Sequence, residues 1–291
     1  MNGLHETKLH GSRLFPYRVY RGKMPEYMHS YPLHWHEEME LICVSRGQVA
    51  ITVRNQRCLA GAGDILIILP QDMHAIEQYK SSSAEYYNIL FRLSLLDSGA
   101  GDVAYDKHIA PLAAKTRTLP VHLTADSPLC RQIAPHVIAL INARHDSESE
   151  LLVKSNLYAV IHHLSRCSVS PSKTERVQAS IYERLKPALS HIQNAPAAAH
   201  DVAHAAALCG YSPSHFARLF HELTGTSFAQ YVRQYRLETA AEALRASDLS
   251  ITRIALEAGF HNLSYFTRAF AAQYGSTPSA YRSEGSKEKS G

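Results

Sequence analysis

The chain has 291 residues, 45% of them hydrophobic and 19% charged, which excludes a disordered or fibrous protein and leaves room for two ordinary domains. A net charge of +4 is compatible with nucleic-acid binding without requiring it. No run of about 18 apolar residues occurs, the first residues hold no apolar signal segment, and Cys43, Cys58, Cys130, Cys167 and Cys209 lack CxxC spacing. The cysteines therefore read as reduced thiols of a cytoplasmic protein with no membrane partner.

Residues 17–95 are strand-like. The segments Glu40–Ser45, Val49–Arg54, Asp64–Leu69 and Tyr86–Leu93 are rich in β-branched and aromatic residues. Turn signals separate them at Arg46-Gly47, Gly61-Ala62-Gly63 and Pro70-Gln71-Asp72. Short strands at this spacing predict an antiparallel sandwich or barrel. Inside this region lies Leu33-His34-Trp35-His36-Glu37-Glu38-Met39-Glu40-Leu41. On one extended strand the even spacing of His34, His36 and Glu40 places them on a single face, and a later strand can bring His74 beside them. Three imidazoles and a carboxylate suit Fe(II), Mn(II), Zn or Ni. The same four side chains could instead hydrogen-bond the hydroxyls of an effector. Trp35, alternating with the histidines, should point away from them.

From Pro128 the apolar period becomes helical. Ile133, Val137, Leu140 and Ile141 recur on one face, as do Leu157, Val160, Ile161 and Leu164. Residues 113–170 are expected to form a helical dimerisation segment, and the polar, proline-containing residues 171–179 a linker. Residues 180–284 read as helical throughout, and 285–291 as a disordered tail.

The C-terminal third contains a repeat. Gly210 is matched by Gly259 at a separation of 49; Phe216, Arg218, Phe220, Gly225 and Tyr231 are matched by Phe266, Arg268, Phe270, Gly275 and Tyr281 at 50. Each copy reads as helix, turn, helix. Ser212 with Pro213 can open the second helix of the first copy, and Asn262 that of the second. Phe216, Leu219, Phe220 and Leu223 form a buried stripe and leave Ser214, His215, Ala217 and Arg218 outside. In the second copy Phe266, Ala269 and Phe270 are buried, while Leu263, Ser264, Thr267 and Arg268 face out. Residues 228–244 form one amphipathic helix joining the copies. Such a pair can enter successive major grooves about 34 Å apart.

The run Ile251-x-x-Ile254-Ala255-x-x-x-Gly259-Phe260, followed by Tyr265-Phe266, Arg268, Phe270, Gly275, Pro278 and Tyr281-Arg282, resembles the AraC/XylS family of bacterial transcription regulators, over about residues 185–282. The resemblance implies base-reading positions at Ser214, Ala217 and Arg218, then Leu263, Ser264 and Arg268. Where that pattern usually carries lysines, this chain has His221-Glu222 and Ala271-Ala272, so Arg233, Arg236 and Arg253 are candidates to make up the phosphate contacts. The His34/His36/Glu40/His74 layout with Gly47 and Gly63-Asp64 resembles the cupin motif pair. The expected fold is α+β in two domains. Residues 1–112 form a cupin-like β jelly roll, followed by the helical dimerisation segment, and the all-α double helix-turn-helix domain occupies 180–284. The expected function is a ligand-responsive regulator, not an enzyme. Its expected partners are double-stranded DNA, a carbohydrate or other small polar effector bound at His34, His36, Glu40 and His74, a second copy of the chain, and RNA polymerase if it activates. A divalent metal at those four residues is the one cofactor to consider. The alternative is a metal-dependent cupin oxygenase or isomerase with a structural helical region.

Overall fold

The computed structural model describes residues 10–12, 14–25, 30–143 and 148–288. The chain divides into two compact units, one made of Lys8–Glu26 with Trp35–Ala179, the other of Ser180 onward with the segment that ends at His34. No helix among the described residues is long and apolar enough to cross a membrane.

Among the described residues, eight strands make the sheet: β1 (Tyr17–Met24), β2 (Ser30–His34), β3 (Met39–Val53), β4 (Gln56–Gly61), β5 (Ile65–Ile68), β6 (His74–Gln78), β7 (Ala84–Phe91) and β8 (His122–Leu123). The main path runs β1-β7-β3-β5-β8. β3 organises it. Its first half pairs antiparallel with β7 and β5, and Gln48–Val53 pairs with β4 and β6. The turn expected at Arg46-Gly47 is therefore a bulge inside one 15-residue strand, with the register shifting between Val44 and Arg46. Gly47 has φ +75°, and a Cβ there would sit 1.8 Å from the Ser83 carbonyl oxygen. Glycine is what lets the strand bend while its neighbour passes this close.

Three helices follow: α1 (Ala110–Ala113), α2 (Pro128–Ala143) and α3 (Glu150–Ser165). Their apolar stripes, Ile133, Val137, Leu140 and Ile141 with Leu157, Val160, Ile161 and Leu164, join Leu41, Ile67, Ile89 and Phe91 in one core. These stripes thus cover the unit's own sheet. A different set, Ile138, Leu152 and Leu151, lies exposed, the last at 85%.

The next helix, α4 (Lys173–Asn194), begins within residues 171–179, the expected linker, and crosses the boundary between the two units at Ala179. Ser172 Oγ accepts the Glu175 N–H at 3.1 Å, and a Glu175 carboxylate oxygen accepts the Ser172 N–H at 2.8 Å. This reciprocal cap turns a polar, proline-flanked segment into a helix start.

The second unit continues with α5 (Val202–Leu208), α6 (Pro213–Thr224), α7 (Phe228–Ala246), α8 (Ile251–Glu257), α9 (Leu263–Tyr274) and α10 (Pro278–Glu288). Asp201, Ser212, Ser227, Ser250 and Asn262 each accept a backbone N–H at a helix start. Gly225 and Gly275 end α6 and α9 with φ +71° each. The copies match in their packing. Phe220 and Tyr231 meet edge to face at 5.3 Å and 79°, and Phe270 and Tyr281 at 5.3 Å and 81°. Helix α10 reaches Glu288, so residues 285–288 of the expected disordered tail are helical, while 289–291 lie outside the described residues.

Candidate functional site

The outward faces of α6 and α9 form the first candidate surface. Burial of Phe216, Leu219, Phe220 and Leu223 in α6, and of Phe266, Phe270 and Tyr274 in α9, fixes how each helix is rotated. Ser214 and Arg218 are left exposed, with Ala217 half-buried; Leu263, Ser264 and Arg268 are exposed on α9. The caps orient the first turns: Asn262 Oδ1 accepts the Tyr265 N–H at 2.8 Å, and Ser212 Oγ accepts the His215 N–H at 3.4 Å. Arg218 lies 3.9 Å from Glu222 one turn on, with both side chains exposed, a pair too weak to hold the guanidinium from another partner.

Two clefts of about 510 and 530 Å³ flank α9. Arg233 and Tyr265 line both, and Arg268 lines the larger. Of the arginines considered for phosphate contact, Arg236 is committed elsewhere. Its Nε and Nη2 donate to the carbonyls of Pro196 and Ala198 at 2.9 and 2.7 Å, so its role is to anchor the segment before α5. Arg253 pairs with Glu257 at 2.6 Å. Arg233 remains exposed beside α9. Tyr265, quoted in the sequence only as part of the family motif, is exposed beside the two clefts, a placement that an aromatic residue next to buried Phe266 does not announce by periodicity.

The second candidate site is the histidine-glutamate group. β2 ends at His34, the chain bends at Glu37-Glu38, and β3 begins at Met39. His34, His36 and Glu40 therefore do not share one strand face, which corrects the parity argument. The residues converge nevertheless. His34 is buried at the end of β2, and His36 and His74 are buried with their ring centroids 5.0 Å apart. Glu40 Oε2 lies 3.2 Å from His36 Nε2 and 3.1 Å from His74 Nε2. The other ring nitrogens donate to main-chain carbonyls, His36 Nδ1 to Glu38 at 3.0 Å and His74 Nδ1 to Asp72 at 2.9 Å. Gln71 stitches the two bends that carry these rings, its N–H donating to the His36 carbonyl at 2.7 Å and its side-chain amide to Glu37 at 3.0 Å. Burial pushes the Glu40 carboxyl up, but the imidazoles of His36 and His74 outweigh it and hold the group well below the usual carboxylate range. Trp35 is itself buried. Gln71 and the Asp72 carbonyl were missed by sequence reasoning, since a main-chain contact leaves no mark on residue type.

A sheet-rich unit holding a buried His/Glu group, joined to two capped helix-turn-helix copies, defines the class of two-domain sensor and DNA reader. Residues 19–161 match the AraC-like ligand binding domain, and residues 205–284 match a helix-turn-helix domain. The chain belongs to the AraC/XylS family of transcription regulators. It is 41% identical over 76 residues to the probable transcription factor PqrA of Proteus vulgaris, and 43% identical over 77 residues to the right origin-binding protein of Escherichia coli. Each match covers 26% of this chain, and they span 62% and 27% of those relatives. An uncharacterised HTH-type regulator of Bacillus subtilis, YdeC, is 22% identical over 96% of both chains. Among solved structures, ToxT from Vibrio cholerae, 11% identical, superposes with a TM-score of 0.50 over 91% of this chain and 96% of its own. That likeness extends to the fold.

Proposed function

We propose that the chain is a ligand-responsive, sequence-specific DNA-binding regulator. In this reading Ser214, Ala217, Arg218, Leu263, Ser264 and Arg268 meet base edges. The observation that carries it is the duplicated presentation: two capped helices expose serine and arginine at matching positions of a repeat, and α7 separates them. At about 1.5 Å per residue, the 19 residues of α7 span about 28 Å, comparable to the ~34 Å between successive major grooves. The sheet unit is read as a cupin-like jelly roll that senses a carbohydrate or other small polar effector at His34, His36, Glu40 and His74. Binding there acts by differential affinity for two arrangements of the chain. The exposed Ile138, Leu151 and Leu152 are the candidate face for a homodimer, and RNA polymerase is the further partner of an activator. Family membership favours this over an oxygenase or isomerase.

The test is a mobility-shift titration of the full chain against DNA from upstream of its own coding sequence. Arg218→Ala and Arg268→Ala should each weaken specific binding by about 1–3 kcal/mol, with a much smaller effect on random duplex. Parental affinity in both variants would remove α6 and α9 as the reading helices. A thermal-shift screen should include carboxylic acids beside sugars, because ToxT has been solved bound to (E)-4-(8-methylnaphthalen-1-yl)but-3-enoic acid.

A further inference from the structure

A two-residue turn, Arg54-Asn55, joins β3 to β4 between the paired Val53 and Gln56. Both turn residues are left-handed, at φ +48° and +64°, as the favoured tight hairpin turn requires. Asparagine tolerates that region and glycine suits it best, whereas arginine is strained there. Such strain persists where the surroundings hold a residue in place, and here the arginine side chain is held on every side. Nε lies 3.3 Å from Asp72 Oδ2, and Nη1 lies 3.5 Å from Glu175 Oε1. Nη1 also donates to the Thr118 hydroxyl, and Nη2 to the Leu119 carbonyl at 3.2 Å. Lys115, itself at φ +54°, lies 3.5 Å from Asp72 Oδ1. Two cations and two carboxylates from four segments of the sheet unit thus share one cluster. Arg54 is 17% exposed and Asp72 8%, so salt screens them less than a surface pair.

Two of these residues face two ways. The Asp72 carbonyl accepts from His74 Nδ1 at 2.9 Å and so orients one ring of the candidate effector group, while the Asp72 carboxylate holds Arg54. The Arg54 N–H adds a bond to the Met73 carbonyl at 3.0 Å. One oxygen of Glu175 meets Arg54, and the other accepts the Ser172 N–H at the opening of α4. We propose that Arg54 is a positioning residue that couples the start of β6 to the first turn of α4, so that a shift at one is felt at the other. A guanidinium is a rigid planar fork: Asp72, by holding Nε, sets the direction in which Nη1 meets Glu175. α4 is the helix that leaves the sheet unit at Ala179, and its first turn is where an event at His74 would enter it. That His74 meets an effector rests on the function proposed above; the Arg54 coupling does not, and it can be read without any effector. A static brace would add stability without passing on a change, and the two accounts differ in additivity.

The experiment is residue-resolved amide hydrogen exchange on the full chain. Asp72→Asn keeps the carbonyl that orients His74 but removes the charge beside Arg54. The Ser172, Glu175 and Arg176 amides, all bonded at the start of α4, should then exchange roughly two- to fivefold faster, the range of a weak ion pair. The Leu41 amide in the middle of β3 should not change, which separates this effect from a general loss of stability. In an Arg54→Gly background, where glycine suits the turn, adding Asp72→Asn should move the three α4 amides no further. Coupling is reciprocal, so Glu175→Gln, which keeps the helix-opening cap, should speed exchange of the Arg54 amide by a similar factor. That variant decides the matter should Asp72→Asn fail to fold. Unchanged α4 amides in Asp72→Asn, an equal change with and without Arg54, or an unchanged Arg54 amide in Glu175→Gln would overturn the coupling and leave a static brace. Coupling found in a chain that fails to bind DNA would uphold the role of Arg54 and count against the proposed function alone.

Discussion

Asp64 ties three segments of the sheet unit together at one carboxylate. Oδ2 accepts the Gly61 N–H at 2.9 Å and lies 2.9 Å from His122 Nε2, while Oδ1 accepts the Ala125 N–H at 2.9 Å. Burial raises the acid's pKa, but these donors outweigh it and hold the group below its ordinary value. A depressed folded pKa contributes stability that is present above the unfolded value, about 3.9, and lost as pH falls through the folded one. Asp64→Asn should therefore flatten the acid limb of the stability curve below about pH 4, read by denaturant unfolding at stepped pH. An acid limb as steep as the parent's would show that the stapling carboxylate is not what titrates. At this scale the sequence was informative about identity and silent about contacts. Grouping His34, His36, Glu40 and His74 followed from residue type and even spacing, whereas the chain bend at Glu37-Glu38 that assembles them carries no pattern. Arg236 offers the opposite lesson. As a letter it looked like a phosphate ligand, and only its two carbonyl partners show it to be an anchor.

Among the elements, the helices of the repeat were the most legible, because caps and stripes are local. Ser212, Ser250 and Asn262 cap where their side chains predict. The sheet was less so. β3 was read as two strands because Gly47 signals a break, yet a bulge keeps pairing on both sides. The start of α4 was read as linker because Ser, Pro and Lys dominate it, although Ser172-x-x-Glu175 is also a helix-opening signal. Gly259, between α8 and α9, shows how tightly the repeat is built. Its φ is +91°, and a Cβ there would stand 2.6 Å from the Pro196 carbonyl oxygen and 2.7 Å from Arg236 Nε. Gly259→Ala meets both an unfavourable backbone region and the Arg236 anchor, and should cost the helical unit at least about 1–2 kcal/mol. Calorimetry of the full chain should show it as a lowered transition. Gly210→Ala, whose Cβ would meet nothing within 4 Å although φ is +70°, should cost less. Equal losses at the two positions would mean that strain alone matters and the close approach does not.

For the molecule as a whole, one feature of the repeat has a bearing on how bound DNA would be used. The two copies share their packing to within a few degrees at the Phe–Tyr contacts, yet their outward faces differ. α6 offers Ser214, Ala217 and Arg218, and α9 offers Leu263, Ser264 and Arg268. A leucine in place of a second polar group favours apolar contact, such as a thymine methyl, over a hydrogen bond. Two unlike surfaces within one chain cannot be exchanged by a two-fold rotation, so the sequence contacted by one chain has no dyad. In the reading proposed above, bound DNA would acquire a polarity: one end of the site would belong to α6, the other to α9, and the chain would point along the duplex as an arrow does. Reversing a single-chain site in place should leave affinity unchanged by mobility shift, because the same contacts form. It should change the output of a reporter promoter, because whatever the protein presents to the transcription machinery now faces away. A reporter indifferent to that reversal would show that the directionality written into the repeat is not transmitted beyond the DNA.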